Sequence, residues 1–272
     1  MKSIVIIGLM AGAVAAGASA RAANLVTNGG FESFSSQAPG GAPSQLSGGA
    51  GGGGPGYTDL TGWTNSGYTY LFGPGLADST GSYSGEYSPG YLSLYGPQNG
   101  VSNGLPATSP DGGNFIGSDP AYQTGPITQT ISGLTPGHTY KVGFDWGGAQ
   151  QTSFNGATWE GWQVSLGGQT LTTTPASENA FHPGTTDNVS HGFTGWFHQT
   201  LFFTATSATE DLAFTALGGP DGVPPFALLD GVSMNAVPEP ATWTMMIVGI
   251  GGIGGIARRR RAAGLSSASA IA

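Results

Sequence analysis

The chain has no cysteine. No disulfide can staple it, so its stability must come from an apolar core or a bound metal. Basic residues are almost as scarce. Of the seven Lys and Arg, five are Lys2 and Arg258 to Arg261, which leaves only Arg21 and Lys141 between the two ends. All fifteen acidic residues lie from Glu32 to Glu239, so two basic residues face fifteen acidic ones and residues 21–240 carry a formal charge of −13. Such a surface repels DNA, RNA and anionic lipid, which excludes a nucleic-acid partner. It also offers little to an acidic polysaccharide unless a divalent cation bridges the two. Sustained helical periodicity is missing from Asn24 to Asn235. Hydrolase and metalloprotease signatures are missing too: Gly81-Ser82-Tyr83-Ser84-Gly85 has Tyr where a nucleophile elbow needs Ser, and there is no H-E-x-x-H. His138, His182, His191 and His198 are spaced 44, 9 and 7 apart, which fits no zinc pattern.

What the chain does have is concentrated first at its ends. Lys2, the apolar run Ile4 to Ala16 and the small-residue site Ala18-Ser19-Ala20 have the order of a secretory signal peptide, 1–20, cut after Ala20. At the other end Pro238-Glu239-Pro240 stands before an apolar segment, Ala241 to Ala257, and then Arg258, Arg259, Arg260 and Arg261. Glu239 lies between two prolines and is pushed into extended backbone, the form that processing enzymes read. The seventeen apolar residues would span about 25 Å as a helix, just short of a bilayer core, with arginines able to snorkel. The arginines would hold the cytoplasmic side, leaving 262–272 as a short cytoplasmic tail. Gly249-Ile250-Gly251-Gly252-Ile253-Gly254 spells a dinucleotide fingerprint, but no acidic residue follows it. Small residues spaced like Gly251 and Gly255 suit close helix packing instead.

This order of parts resembles the PEP-CTERM sorting signal of Gram-negative bacteria, in its variant with a Trp three residues after the second proline, here Trp243. Thr244 stands where that variant usually has Ala, and the tail is longer than usual. The resemblance covers 237–261. It implies a substrate of exosortase, an integral-membrane protease, that is held in the membrane by its C-terminal helix until processed.

Between the ends, short apolar and aromatic runs alternate with Gly, Pro, Asn and Asp clusters. They predict nine strands: Tyr68–Phe72, Tyr91–Tyr95, Asn114–Gly117, Ile127–Ile131, Thr139–Trp146, Trp162–Thr172, Trp196–Thr206, Asp211–Leu217 and Phe226–Met234. The fold class is therefore all-β, a jelly-roll β-sandwich over 21–236. Its Gly-rich stretch 38–56 lacks apolar content and reads as a flexible loop. Three pieces resemble galactose-binding-like jelly rolls, which include many carbohydrate-binding modules. They are Asn24 to Glu32, Trp63 paired with a last strand Ala227 to Ser233, and the Gln129 to Tyr140 β-turn-β segment.

Site residues are read with their plain alternatives. A glycosidase pair such as Glu160 with Asp145 has the right chemistry, but nothing selects it over other carboxylates. Sugar rings stack on exposed aromatics; Tyr57, Tyr68, Tyr70, Tyr83, Tyr87, Tyr91, Tyr95 and Tyr122 crowd one half, and Trp159 sits in what reads as a polar loop. The glycan-stacking candidate is Trp159. Period-two alternation would put Asp230 on one face with Leu228, Val232 and Met234, so its carboxylate needs backbone donors, a cation or a proton. The jelly-roll resemblance implies a structural calcium between first and last strands, with Glu32, Asp230 and carbonyls of Asn28-Gly29-Gly30 as ligands. An ice-binding surface needs a regular Thr array, and only Thr170 to Thr174 suggests one. The expectation is an exported, exosortase-processed envelope or extracellular-matrix protein that is not an enzyme and binds glycan, with exopolysaccharide as partner. The alternative is a secreted polysaccharide hydrolase on the same sandwich.

Overall fold

Alternation along Tyr140-Lys141-Val142-Gly143-Phe144-Asp145-Trp146 decides the longest strand. In the computed structural model, which describes residues 23–35, 44–49, 57–80 and 92–238, Tyr140, Val142, Phe144 and Trp146 are buried while Lys141 and Asp145 turn outward. The expected signal peptide with Ala20, the membrane helix, the tail, Glu239, Pro240, Trp243 and Arg258 to Arg261 all lie outside the described residues.

Fourteen strands follow in chain order: β1 Phe34–Ser35, β2 Ser44–Gln45, β3 Asp59–Leu60, β4 Thr64–Asn65, β5 Thr69–Phe72, β6 Phe115–Ser118, β7 Ile127–Ser132, β8 Thr139–Gln150, β9 Thr158–Leu166, β10 Gln169–Thr172, β11 Thr185–Asn188, β12 Phe193–Thr204, β13 Thr209–Gly219 and β14 Pro225–Ala236. One six-stranded sheet has the order β12-β8-β14-β6-β5-β2; the facing one runs β10-β9-β13-β7-β4, with β11 also on β9, and β1 and β3 form a separate two-stranded pair. The two sheets face each other across Trp146, Phe144 and Leu229 on one side and Trp162, Val164 and Phe214 on the other. Each such ring or branched chain withdrawn from water contributes about 1.5–3 kcal/mol. The fold is thus an all-β sandwich. Among the described residues, Pro97–Asn99 is the only helical turn, and no helix is long and apolar enough to cross a membrane.

Several expectations are corrected. Trp162–Thr172 is two strands, because Gly167 and Gly168 take left-handed φ of 53° and 88° and close a two-residue hairpin. β8 continues past Trp146 through two glycines that sequence would read as a stop. Gly148 leaves room for the Glu160 carboxylate, and a Cβ at Gly147 would lie 2.7 Å from the Gly195 carbonyl. The described part of Tyr91–Tyr95 forms only an isolated bridge, Leu94 to Gln151. Leu92 and Leu94 instead pack on the outer face of the sheet that contains β8 and β14, with Tyr70, Phe72, Phe115, Phe226 and Leu228, as a second apolar layer.

The Gly-rich stretch 38–56 is not a free loop throughout. Within it Ser44–Gln45 pairs with β5, and Leu46, only 2% exposed, anchors it in the main core. The Leu46 N–H donates to the Thr69 carbonyl (2.8 Å) and the Ser47 N–H to that of Thr58 (2.9 Å). One leucine among glycines is enough to fix the register of this edge.

The chain start runs beside β14 beyond the reach of β6. The Leu25 N–H donates to the Met234 carbonyl and the Val232 N–H to the Gly29 carbonyl, both at 2.9 Å. Trp63 locks this seam, its indole N–H donating to the Asn28 carbonyl (3.0 Å) and its ring packing on Phe31 at 5.6 Å. A Cβ at Gly29 would run into the Val232 carbonyl. Gly29→Ala is therefore expected to cost about 2 kcal/mol, measured by urea unfolding. An unchanged midpoint would show the seam to be loose.

Candidate functional site

Strands β8 and β14 both reach the end of the sandwich where 151–157 and 220–224 connect them to β9 and β13. At this end lies a pocket of about 230 Å³ walled by Tyr68, Tyr122 and Phe154 and carrying Asp119, Asp221 and Gln151. Tyr122 is 53% exposed and meets Tyr68 edge-to-face, ring centres 5.1 Å apart at 88°. Tyr68 in turn sits 5.1 Å from Tyr70, and their hydroxyls are 3.1 Å apart. Burial pushes both phenols above the usual tyrosine range, so both rings stay neutral with their hydroxyls protonated.

Asp119 is held by its own turn. Its Oδ1 accepts from the N–H groups of Ala121 (2.8 Å) and Tyr122 (3.1 Å), the bonding that lets Asp start a turn before Pro120. The same bonds fix the backbone of Tyr122 over the cavity. Burial lifts the Asp119 carboxyl to about 6; the two N–H groups oppose that rise, and the Asp221 charge adds to it. Aromatic walls with a few acceptors make a site for a polyhydroxylated ring. A wider groove of about 480 Å³ on the sheet that contains β8 and β14 is lined by Lys141, His198, Thr200, Ser233 and Asn235 and has no Tyr, Trp or Phe wall.

The residues singled out from sequence fall elsewhere. Trp159 is in strand β9, not a loop, and its ring is already stacked on His182, centres 3.8 Å apart and planes within 7°. The backbone of Gly219 lies against the same indole, where a Cβ would come within 2.6 Å. Glu160 and Asp145 do not form a pair. Glu160 points between the sheets toward Gly148, whereas Asp145 is on the outer face of β8, bonded to His198 Nδ1 at 2.8 Å. Glu160 is fully buried, accepts from the Thr158 hydroxyl (2.5 Å), and has no partner for Oε2 among the described residues. Burial drives its carboxyl well above the usual range, despite the Thr158 and Asn188 hydrogen bonds.

Asp230 is buried as expected, but in other company. A bulge at Gly231 (φ 59°) shifts the register between Asp230 and Ser233. Asp230 therefore shares the outer face with Phe226 and Leu228, while Val232 and Met234 turn into the main core. The Ser109 hydroxyl donates to its Oδ2, and Oδ1 has no partner among the described residues. Burial raises this carboxyl to about 8, the Ser109 and Gly231 hydrogen bonds opposing and the Asp111 and Glu32 charges adding. Glu32 does come close: a Cβ at Gly30 would stand 3.1 Å from Asp111, 3.9 Å from Asp230 and 4.0 Å from Glu32. Both Glu32 oxygens also accept from Asn114, at 2.6 and 3.0 Å. An orphaned buried oxygen beside a cradle kept open by glycine fits a cation. Among the described residues no three His, Asp or Glu side chains are grouped to hold a metal, so backbone carbonyls would have to complete the set.

At the opposite end of β8, pairing continues to the last described residues. β14 ends with Ala236 facing Tyr140, and the Val237 N–H still donates to the Thr139 carbonyl at 2.9 Å, so the pairing stops just before Pro238. From there the Pro-Glu-Pro, apolar and arginine segments run on in sequence, and residues 236–261 match the family model for the PEP-CTERM protein-sorting motif. This stretch is a PEP-CTERM sorting motif. The PEP-CTERM motif implies export, processing by the membrane protease exosortase, and a cell-surface or extracellular location. No curated protein matches the chain. Among solved structures it is similar to TmCBM61 in complex with β-1,4-galactotriose (13% identity, TM-score 0.35, covering 79% of this chain and 99% of that one). It is also similar to the N-terminal cellulose-binding domain of Cellulomonas fimi β-1,4-glucanase C (14% identity, TM-score 0.27, 50% and 83%).

Sequence reasoning missed Asp119, Gln151, Phe154 and Asp221. Tyr68 and Tyr122 stood in the crowd of tyrosines, but nothing in the sequence joined them to a loop a hundred residues later.

Proposed function

We propose that this is an exported envelope or extracellular-matrix protein, released from its membrane helix by exosortase, whose jelly-roll domain binds glycan without catalysis. The observation that carries the binding half is the pocket where Tyr122, Tyr68 and Phe154 surround Asp119 and Gln151. Rings offer the apolar face that a sugar stacks on, and the carboxylates and amide offer partners for its hydroxyls. The sorting half rests on the motif at 236–261, in the variant marked by Trp243. Consecutive strands β6, β7, β8 and β9, and again β12, β13 and β14, alternate between the sheets, which supports the jelly-roll winding.

Affinity electrophoresis in gels cast with extracellular polysaccharides tests the binding. At least one neutral or amino-sugar polymer is expected to retard the protein, and Tyr122→Ala is expected to weaken that binding about tenfold. Retardation unchanged in Tyr122→Ala would move the site elsewhere. Release of reducing ends from the same polymers would favour the hydrolase reading.

Calcium is part of this proposal, held by Asp230, Glu32 and carbonyls of Asn28-Gly29-Gly30. It would neutralise the carboxylates and tie the chain start to β14. Chelation is expected to lower the melting temperature of the wild type but not of Asp230→Asn. At a thousandfold excess of calcium over its dissociation constant the effect is about 4 kcal/mol. A wild-type melt indifferent to chelator would leave Asp230 with a proton instead.

A further inference from the structure

We propose that the pocket selects sugars that carry a free ammonium group, the de-N-acetylated hexosamine units of a polysaccharide. This rests on the glycan-binding reading and goes on to name the ligand class. Asp119 is only 2% exposed and lines the cavity, yet both hydrogen bonds to its carboxylate end on Oδ1; Oδ2 accepts none from the described residues. Asp221 lies at the same cavity on an exposed turn, a second negative charge facing the first. Two like charges at one cavity repel each other unless a cation joins them. The described residues have none to offer there. Among the described residues Lys141 is the only Lys or Arg, and it lines the groove toward the other end of β8.

A ligand can bring what the pocket lacks. An ammonium on a sugar ring would donate to Asp119 Oδ2 and to Asp221, as charge-assisted hydrogen bonds that a hydroxyl cannot equal. The electron-rich faces of Tyr68, Tyr122 and Phe154 attract the same cation while the ring's C–H face packs against them. An acetylated nitrogen would lose the charge, and a uronic acid would be repelled. The domain's large negative charge acts in the same direction, steering a cationic polymer toward the protein.

Titration calorimetry on the exported protein with four probes decides this: glucosamine tetramer, N-acetylglucosamine tetramer, cellotetraose and trilysine. The free-amine tetramer is expected to bind about tenfold more tightly than its acetylated form at low salt. Asp221→Asn is expected to close most of that gap while leaving the fold intact, since Asp221 is on an exposed turn. Tyr122→Ala is expected to weaken both tetramers. Equal or tighter binding of the acetylated tetramer, or a gap that survives in Asp221→Asn, overturns the proposal. Trilysine binding as well as the amine tetramer would also overturn it, in favour of a basic peptide. If cellotetraose or the acetylated tetramer binds through Tyr122 with no preference for the amine, glycan binding stands and only the ammonium selectivity fails. If no oligosaccharide binds through Tyr122, both readings fail.

Discussion

Cells carrying Ala-Ala-Ala in place of Pro238-Glu239-Pro240 are expected to keep the protein uncut in the membrane, with complete loss of the processed form. Two prolines restrict Glu239 to extended backbone and keep the apolar segment's helix from growing upstream. Three alanines, the best helix formers, remove that restriction. The wild type, by intact mass, is expected to lack residues 1–20 and everything from about Pro238 onward, Arg258 to Arg261 included. The fold sharpens this expectation. Val237 is still bonded to Thr139, so cleavage falls at the border of the folded sheet and can leave the domain whole. Normal processing of the alanine variant would show that the protease does not read these residues. Wild-type protein in the envelope that retains the four arginines would mean a plain anchor.

Glu160 is expected to make the domain lose stability as pH rises. Its folded carboxyl is raised above the unfolded value, first by burial. The folded state therefore holds a proton that the unfolded state releases. That contribution is fully present below the ordinary carboxylate range and is lost as pH climbs through the raised folded value. At alkaline pH the protein must either bury an unpaired charge or open the interior near Gly148, which costs several kcal/mol. Glu160→Gln keeps the shape and cannot ionise. Its urea midpoint is expected to match or exceed that of the wild type at pH 9 and to vary less between pH 5 and pH 9. Parallel pH profiles for the two proteins would mean that Glu160 does not titrate in this range.

Strand β8 shows how much of this architecture was written in local pattern. Tyr140, Val142, Phe144 and Trp146 gave its phase and its buried face from sequence alone, because period-two alternation needs no partner to be read. Its last four residues were hidden, since the reason for Gly147 and Gly148 lies in other strands: the Gly195 bulge and the Glu160 carboxylate. Gly231 hid the surroundings of Asp230 in the same way, one left-handed residue exchanging the faces of everything after it. Leu46 was lost among glycines because composition averages over the one residue that anchors. The sorting motif was legible for the opposite reason, as its parts act in linear order and need no fold to bring them together. The pocket is assembled from four separate segments, around Tyr68, Asp119 to Tyr122, Gln151 to Phe154 and Asp221 to Pro224.

The two ends of β8 have different neighbours, and this gives the protein a direction. Thr139 holds the chain just before the sorting motif, while Gln150 leads into the loop that contributes Gln151 and Phe154 to the pocket. Twelve residues of strand separate the two, about 36 Å at the usual rise. The chain start leaves by the motif's end as well, since Leu25 is bonded to Met234. Both ends of the described domain thus leave together, away from the pocket, so that whatever is joined at the motif leaves the pocket's mouth unobstructed.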